Sequence, residues 1–205
     1  HLPSTSHCQS GTGCVECNQQ QHCQDEALSA CGQSYTCEAC EEDSDCNHID
    51  GKAVCDSVEG CVECTTNTHC PDFANSKCQA NTCQPCEVDN DCDHISGKQV
   101  CSSQGECVEC VENTDCGEPN LSKCNIYQCQ GCVGNSDCLH IEGNQNVCDQ
   151  SNNMCVQCLE NQDCVFKPEL SQCDVNICYE CLDTQDCLDP TASRCENNQC
   201  YKCLS

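Results

Sequence analysis

The chain has no tryptophan, one methionine and two phenylalanines among its 205 residues. Leu, Ile, Val and Phe together number only 29. Basic residues are also scarce, since 7 Lys and Arg stand against 34 Asp and Glu, which gives a net charge of −27. A chain of this composition buries too little apolar surface to offset its conformational entropy, and composition alone would class it as disordered. Something other than a hydrophobic core must hold any fold.

The same absences limit the possible partners. A chain this acidic is not expected to bind nucleic acid or anionic lipid through its own field. The sequence has no stretch of about 18 apolar residues, so we predict no membrane span. The first seven residues lack the basic and apolar regions of a signal peptide, and we expect any such peptide to have been removed or to lie outside this sequence. We also expect no cofactor.

What the chain has in abundance is cysteine, with 35 residues in a repeated spacing. C-x5-C is followed by seven to nine residues, then C-x4–6-C, and two residues later the pattern begins again. Such repetition predicts an array of small stapled units rather than one core. We divide the chain into the end of a preceding unit (1–16), eight four-cysteine units and the start of a following unit (201–205). The eight units are 17–37, 40–61, 64–83, 86–107, 110–129, 132–155, 158–178 and 181–200.

Two kinds of unit alternate, so the period is nearer 46 residues than 23. Type B units carry C-x-His-Ile-x-Gly before their third cysteine, with His48, His94 and His140 at one shared position. Type A units carry an insert that often contains proline. We label the units A1, B1, A2, B2, A3, B3, A4 and A5 in chain order, because the last two are both type A.

The cysteines are best explained by disulfides. Nine C-x2-C pairs could in principle hold zinc, but each pair also has further cysteines about five residues away on either side, which a zinc ribbon does not need. A metallothionein-like cluster is disfavoured because C-x-C is absent. A redox motif is disfavoured because each pair straddles a unit boundary. Disulfides in this number persist in oxidising compartments, so we predict an extracellular or cell-surface protein.

Four cysteines allow three pairings in each unit. The two-residue joint looks like a boundary between closed units, and it favours a crossed pairing of first with third and second with fourth cysteine. This predicts the bonds Cys17–Cys31, Cys23–Cys37, Cys64–Cys78, Cys70–Cys83, Cys86–Cys101 and Cys92–Cys107. Under this pairing Cys8, Cys14 and Cys203 have no partner in the chain. We therefore expect a longer parent chain or, failing that, bonds to a neighbouring copy.

The predicted fold class is a set of small disulfide-rich repeats in an elongated rod, with short β-hairpins and little helix. Asn and Asp before each second cysteine are expected to accept backbone N–H bonds and to start a tight turn. Pairs such as Ala80-Asn81 are expected at hairpin tips. Gly51, Gly97 and Gly143 are expected at positive φ.

Other chemical features have two interpretations each. The three type B histidines could form a ladder that binds metal or senses pH, or each could pack over a disulfide and cap a loop carbonyl, which we favour. Acidic runs such as 41–45 and 87–91 could bind calcium, which would screen charge between fibres, but no complete calcium loop is present and we favour a solvated acidic face. Asn120 begins an Asn-Leu-Ser glycosylation sequon. We predict a glycan there and no metal site.

Units such as CVECTTNTHCPDFANSKCQANTCQPCEVDNDC resemble the cysteine-rich tandem arrays of ciliate and other protist surface or secreted proteins. The resemblance covers Cys8 to Cys203, and it implies a surface or fibre role with no catalytic residues. We therefore predict a non-enzymatic structural protein that self-associates into a rod or filament. The alternative is a receptor or adhesin ectodomain that binds a protein or glycan, for which Phe166, Val165 and Pro168 form the candidate apolar patch.

Overall fold

The structure is a computed structural model that describes residues 7–9, 13–166, 170–188, 192 and 194–201. The chain divides into two compact units, His1–Val108 and Glu109–Ser205. The first contains A1 to B2 and the second contains A3 to A5. Helical structure in the described part is limited to short 3₁₀ segments near each second cysteine, of which Asn161–Phe166 is kinked at Cys164 and continues past it. These segments are Gln20–His22, Asp43–Cys46, Asn67–His69, Asp89–Cys92, Asn113–Asp115, Asn135–Cys138, Asn161–Phe166 and Thr184–Asp186.

The strands are two or three residues long and form nine antiparallel two-stranded hairpins, each from consecutive strands. The strands of the first four hairpins are β1 His7–Gln9, β2 Gly13–Val15, β3 Ala30–Cys31, β4 Cys37–Glu38, β5 Val54–Asp56, β6 Gly60–Val62, β7 Lys77–Gln79 and β8 Thr82–Gln84. The others are β9 Val100–Cys101, β10 Cys107–Val108, β11 Lys123–Asn125, β12 Gln128–Gln130, β13 Val147–Asp149, β14 Met154–Val156, β15 Gln172–Asp174, β16 Ile177–Tyr179, β17 Arg194–Glu196 and β18 Gln199–Tyr201. The predicted class of small disulfide-rich hairpin repeats is confirmed.

Each of the eight four-cysteine units contains two disulfides, which join the first cysteine to the third and the second to the fourth. This is the crossed pairing. The predicted bonds are all formed, from Cys17–Cys31 and Cys23–Cys37 through Cys64–Cys78, Cys70–Cys83, Cys86–Cys101 and Cys92–Cys107. The remaining units repeat it, and no described bond crosses a two-residue joint.

The crossed disulfides pin the hairpin of each unit to its first loop. In A2 the third and fourth cysteines, Cys78 and Cys83, lie directly opposite each other on β7 and β8. The two residues between these strands, Ala80 and Asn81, have φ of +50° and +61°. Two consecutive left-handed residues make the type I′ turn that suits the strand twist of a two-residue hairpin.

The core consists of cystine. The buried apolar side chains in the described part are almost all cysteines, with a few valines and one isoleucine, Ile141. In B3 the four cysteines and Ile141 form one buried cluster, and Ile49 and Ile95 pack on the corresponding clusters of B1 and B2. The disulfides therefore supply both the covalent links and the apolar contacts of each unit.

Polar side chains before the second cysteine close the first loop of each unit. In A2, Asn67 Oδ1 accepts the N–H of the third cysteine, Cys78, at 2.9 Å, and equivalent bonds occur in A3, A4 and all three type B units. The residue just before the second cysteine accepts an N–H from four positions upstream. Asp115 does so from Val111 at 2.7 Å, and His69 takes the same position in A2. The predicted backbone acceptors are thus confirmed.

One prediction about the cysteines outside the eight units is wrong. Cys14 is disulfide-bonded, whereas the sequence analysis left it without a partner. The backbone of residues 7–9 pairs with 13–15, so that the Cα atoms of Cys8 and Cys14 lie opposite each other, as in every other hairpin. The prediction was wrong because it allowed Cys14 a partner only through the crossed pattern of a preceding unit. Cys203 lies outside the described residues.

Reduction is predicted to unfold the chain completely, because the residual apolar content cannot form a core once the cystines are broken. The measurement is circular dichroism and limited proteolysis of the oxidised chain against the fully reduced and alkylated chain. The oxidised chain should resist protease while the reduced chain is degraded. Protease resistance that survives complete alkylation would contradict this expectation.

Candidate functional site

Type A and type B units are joined in pairs by a junction that recurs three times, in A1–B1, A2–B2 and A3–B3. Its first contact is made by the type B histidine, whose Nε2 faces the backbone carbonyl of the second cysteine of the type A unit. The Nε2–O distances are 2.6 Å for His48–Cys23, 2.8 Å for His94–Cys70 and 2.9 Å for His140–Cys116. Since a carbonyl oxygen can only accept, Nε2 carries the proton.

The rest of the C-x-His-Ile-x-Gly motif holds this histidine in place. The isoleucine after the histidine packs on the cystines of its own unit, as Ile95 does in B2. The glycine then turns the chain back with φ of +72° at Gly51 and Gly97 and +81° at Gly143. Because such φ values strain any residue with a Cβ, the predicted positive-φ glycines are confirmed as a requirement of this loop.

The second contact is a backbone bond from the fourth cysteine of type B to the insert of type A. The N–H of that cysteine donates over 2.8 Å to a carbonyl oxygen in the insert. The pairs are Cys61 to Glu26, Cys107 to Phe73 and Cys155 to Pro119. Three unrelated side chains occupy the accepting position because only their carbonyl groups are used. In B1 the close approach also requires Gly60, where a Cβ would lie 2.3 Å from the Glu26 carbonyl oxygen.

The third contact is a buried serine two positions before the third cysteine of type A. Ser29, Ser76 and Ser122 are each 0% exposed. Their Oγ atoms lie 2.9, 2.9 and 3.0 Å from the Sγ atoms of Cys61, Cys107 and Cys155. A cystine sulfur carries no hydrogen, so the hydroxyl is the donor.

The fourth contact joins a type A amide to a type B carboxylate. The side-chain amides of Gln20, Asn67 and Asn113 donate to Asp45, Asp91 and Asp137 over 2.9, 3.3 and 3.3 Å. Each of these carboxylates is buried and also accepts backbone N–H groups of its own unit, such as Glu87 on Asp91 at 2.9 Å. Each type B unit therefore contributes one carboxylate to the junction.

Asp91 is the best-defined titratable group of the junction. Burial raises the pKa of its carboxyl, but the N–H groups of Glu87 and Val88, the Asn67 amide and the charge of Lys77 stabilise the ionised form. These interactions outweigh burial, and the net pKa of Asp91 is lowered. The junction is therefore held by a carboxylate that must stay ionised.

The edges of the junction vary between pairs. In A1–B1, Lys52 forms an ion pair with Glu26. In A2–B2, the equivalent Lys98 lies 3.8 Å above the ring of Phe73 instead. Exposed pairs of this kind contribute little, about 0–1 kcal/mol. The contacts common to all three pairs are therefore those made through the backbone, the serine, the histidine and the amide–carboxylate bond.

The three histidines thus occupy the carbonyl-capping role that the sequence favoured. The cysteines that form three-sulfur clusters belong to disulfides, so they offer no thiolate to a metal. Asn120 is exposed, whereas the hydroxyl of its sequon, Ser122, is completely buried in the junction. Of the apolar patch, Pro168 lies outside the described residues, as do the side chains of Val165 and Phe166.

Sequence reasoning missed the junction itself. The signals were present, since a serine recurs at one position of every type A unit and the period is 46 residues rather than 23. Neither signal says that the serine faces a sulfur of the next unit. That contact depends on the direction in which the second unit folds back on the first.

A polar cleft of about 600 Å³ lies between B1 and A2 within the first compact unit. Its lining includes His48, Lys52, Glu63, His69 and Asp72. Donors, acceptors and both signs of charge therefore face one opening. This cleft is a second candidate for a binding function.

Comparison of the chain with protein-family models, with curated protein sequences and with solved structures found no match. Among the described residues, no helix has the length and apolar character needed to cross a bilayer. The many disulfides and repeated hairpins fit a rigid protein of the secreted or extracellular class.

Replacing His94 with Leu is predicted to loosen the A2–B2 junction, because the Cys70 carbonyl loses its donor. Hydrogen exchange of the Cys107 N–H, which bonds across the junction, should accelerate about tenfold relative to the unmodified chain. The matched control is His69→Leu, since His69 makes its hydrogen bonds within A2. Equal acceleration in both variants would count against a special role for His94.

The A2–B2 junction is also predicted to weaken in acid. Because folding lowers the pKa of Asp91, its contribution is complete above the unfolded value of about 4 and is lost as the pH falls through the folded value. The protection factor of the Cys107 N–H should therefore drop below about pH 4. In Asp91→Asn it should be lower at neutral pH and lack this drop, while the exposed Asp93→Asn should behave like the unmodified chain. A drop retained in Asp91→Asn would rule out this carboxylate as its source.

Proposed function

We propose that this chain is a non-catalytic structural protein of the cell exterior, which acts as a stiff, disulfide-stapled element of a surface coat or filament. The observation that supports this most is the recurrence of one junction in three successive pairs. The same four contacts recur at nearly the same distances, although the exposed residues around them differ. A structural contact that recurs between neighbouring repeats while the surrounding residues vary is typical of repeat proteins, in which each unit fixes the orientation of the next.

The two-residue joints support the elongated form of this proposal. Such joints are too short to act as flexible linkers. In the A–B pairs the joint is also bridged by the histidine, serine and backbone contacts. A rod built of such pairs would resist bending more than a string of independent units.

Charge and sugar would govern the surface of such a filament. The net charge of −27 would keep neighbouring filaments apart at low salt. A glycan on the exposed Asn120 would add steric separation. Since Ser122 is buried once B3 packs on A3, we propose that the sugar is attached before this pair closes.

A receptor or adhesin is the second candidate, and the cleft between B1 and A2 is the observation that favours it. Its histidines, carboxylates and Lys52 could bind a polar ligand such as a glycan. The apolar side chains at hairpin tips favour it less, because the most exposed ones, Val58, Ile126 and Val175, belong to three different units.

The two candidates are separated by negative-stain microscopy of the native material, examined at low and at physiological salt. A structural role predicts filaments longer than one chain, with closer lateral packing as salt screens the charge. Intact mass of the same sample, before and after glycosidase treatment, reports the chain length and the glycan at Asn120. Uniform particles of single-chain size under both conditions would refute the filament role and favour the receptor or adhesin role.

A further inference from the structure

Unit A4 shares the amide and the serine of the junction face of A1, A2 and A3, but it is followed by A5 instead of a type B unit. Its second cysteine, Cys164, has ψ of 15°, whereas Cys23, Cys70 and Cys116 have ψ of 89°, 76° and 83°. A5 lacks the C-x-His-Ile-x-Gly motif, since Leu188 and Asp189 follow its second cysteine. Among the described residues, no hydrogen bond joins A4 to A5. A4 is therefore a type A unit without the partner that covers the other three.

The serine of A4 shows that its junction face is open. Ser171 lies two positions before the third cysteine, as Ser29, Ser76 and Ser122 do. Those three serines are completely buried by the type B unit that follows, whereas Ser171 is exposed. The difference follows from what succeeds each unit along the chain.

The amide of A4 is also set in the geometry of an occupied junction. Asn161 Oδ1 accepts the N–H of Cys173 at 2.8 Å, as Asn67 does from Cys78 and Asn113 from Cys124 at 2.9 Å. In A2 and A3 the Nδ2 atom then donates to the type B carboxylate. In A4 it donates to Gln172 Oε1 at 2.8 Å, within its own unit. The Nδ2 donor of Asn161 is therefore in position, and it donates to Gln172 in place of a type B carboxylate.

We propose that the junction face of A4, formed by Asn161, the carbonyl of Cys164 and Ser171, docks a type B repeat carried by another polypeptide. The three pairs within this chain identify the occupant. It must bring a cystine sulfur to Ser171 and a carboxylate to Asn161. Its histidine reaches the Cys164 carbonyl once that peptide turns as the equivalent peptides do in A1, A2 and A3. A5 does not offer the same face, because Thr184 stands where the amide should be.

A type B repeat other than B1, B2 and B3 is a better source than a second copy of these 205 residues. B1, B2 and B3 are already seated on the type A units that precede them, through all four contacts. A second copy could supply one of them only by breaking an equivalent junction, with no net gain of contacts. This inference does not depend on the filament role, and its failure would leave that role untouched.

The test uses the full chain, isotopically labelled, and a synthetic peptide of residues 84–108 with its two disulfides formed as in B2. We expect saturable NMR shifts at Asn161, Cys164 and Ser171. Ser171→Arg in the full chain should abolish them, whereas Ser57→Arg, a matched change at an exposed site on B1, should not. A His94→Leu peptide should bind about tenfold more weakly, because the histidine bond is lost.

Absence of binding at millimolar peptide, or binding that Ser171→Arg leaves unchanged, would overturn the proposal. So would shifts confined to A1, A2 and A3, since the peptide would then be displacing a resident unit. Concentration-dependent shifts at Ser171 without peptide would assign the face to a second copy instead.

A second experiment uses a grafted chain, so that the test does not require the peptide to fold on its own. Residues 181–200 of the full chain are replaced by the sequence of residues 86–107, which places a type B unit directly after A4. Docking predicts that the N–H of the last grafted cysteine exchanges as slowly as that of Cys107. Fast exchange in this chain, with both grafted disulfides formed, would overturn the proposal independently of the peptide.

Discussion

The crossed pair of disulfides in each unit is the constraint on which the rest of the structure depends. Cystine replaces the hydrophobic core that the composition cannot provide. Each disulfide also lowers the conformational entropy of the unfolded chain, which stabilises the folded state by about 2–4 kcal/mol. Two such bonds in about 20 residues tie the hairpin to the first loop. The surface is then free to be acidic, because few other residues are needed for stability.

The hairpin tips show how far this freedom extends. Ile126 and Val175 take φ of +50° and +46° at the tips of A3 and A4, where a β-branched side chain costs of the order of 1–3 kcal/mol. In A2 the equivalent position is Ala80. The strain is tolerated because the third and fourth cysteines lie opposite each other at the base of each turn and fix it. Turn preference therefore has little influence on the first tip position, whereas the second is Asn in A2, A4 and A5.

The junction between paired units is a second level of organisation that uses few side chains. Carbonyl oxygens of the second cysteine and of the insert accept two of its four bonds, and a cystine sulfur accepts a third. A position that contributes only its backbone can carry Glu26, Phe73 or Pro119 with the same result. This explains why the inserts look unrelated while the pairs are nearly superimposable in their contacts. It also places any specificity for partners on the edges of the pairs and on type A units that lack a type B neighbour.

The sequence by itself determined the staple, the repeat and the turns. The cysteine spacing indicated eight units and short hairpins, and Asn and Asp before each second cysteine indicated the turns, because these features depend on residues within about 15 positions of one another. Only the tertiary structure showed that the true building block is the A–B pair. The contacts of His94 with Cys70 and of Ser76 with Cys107 join residues 24 and 31 positions apart. They depend on how one closed unit folds back on another, which no local spacing encodes.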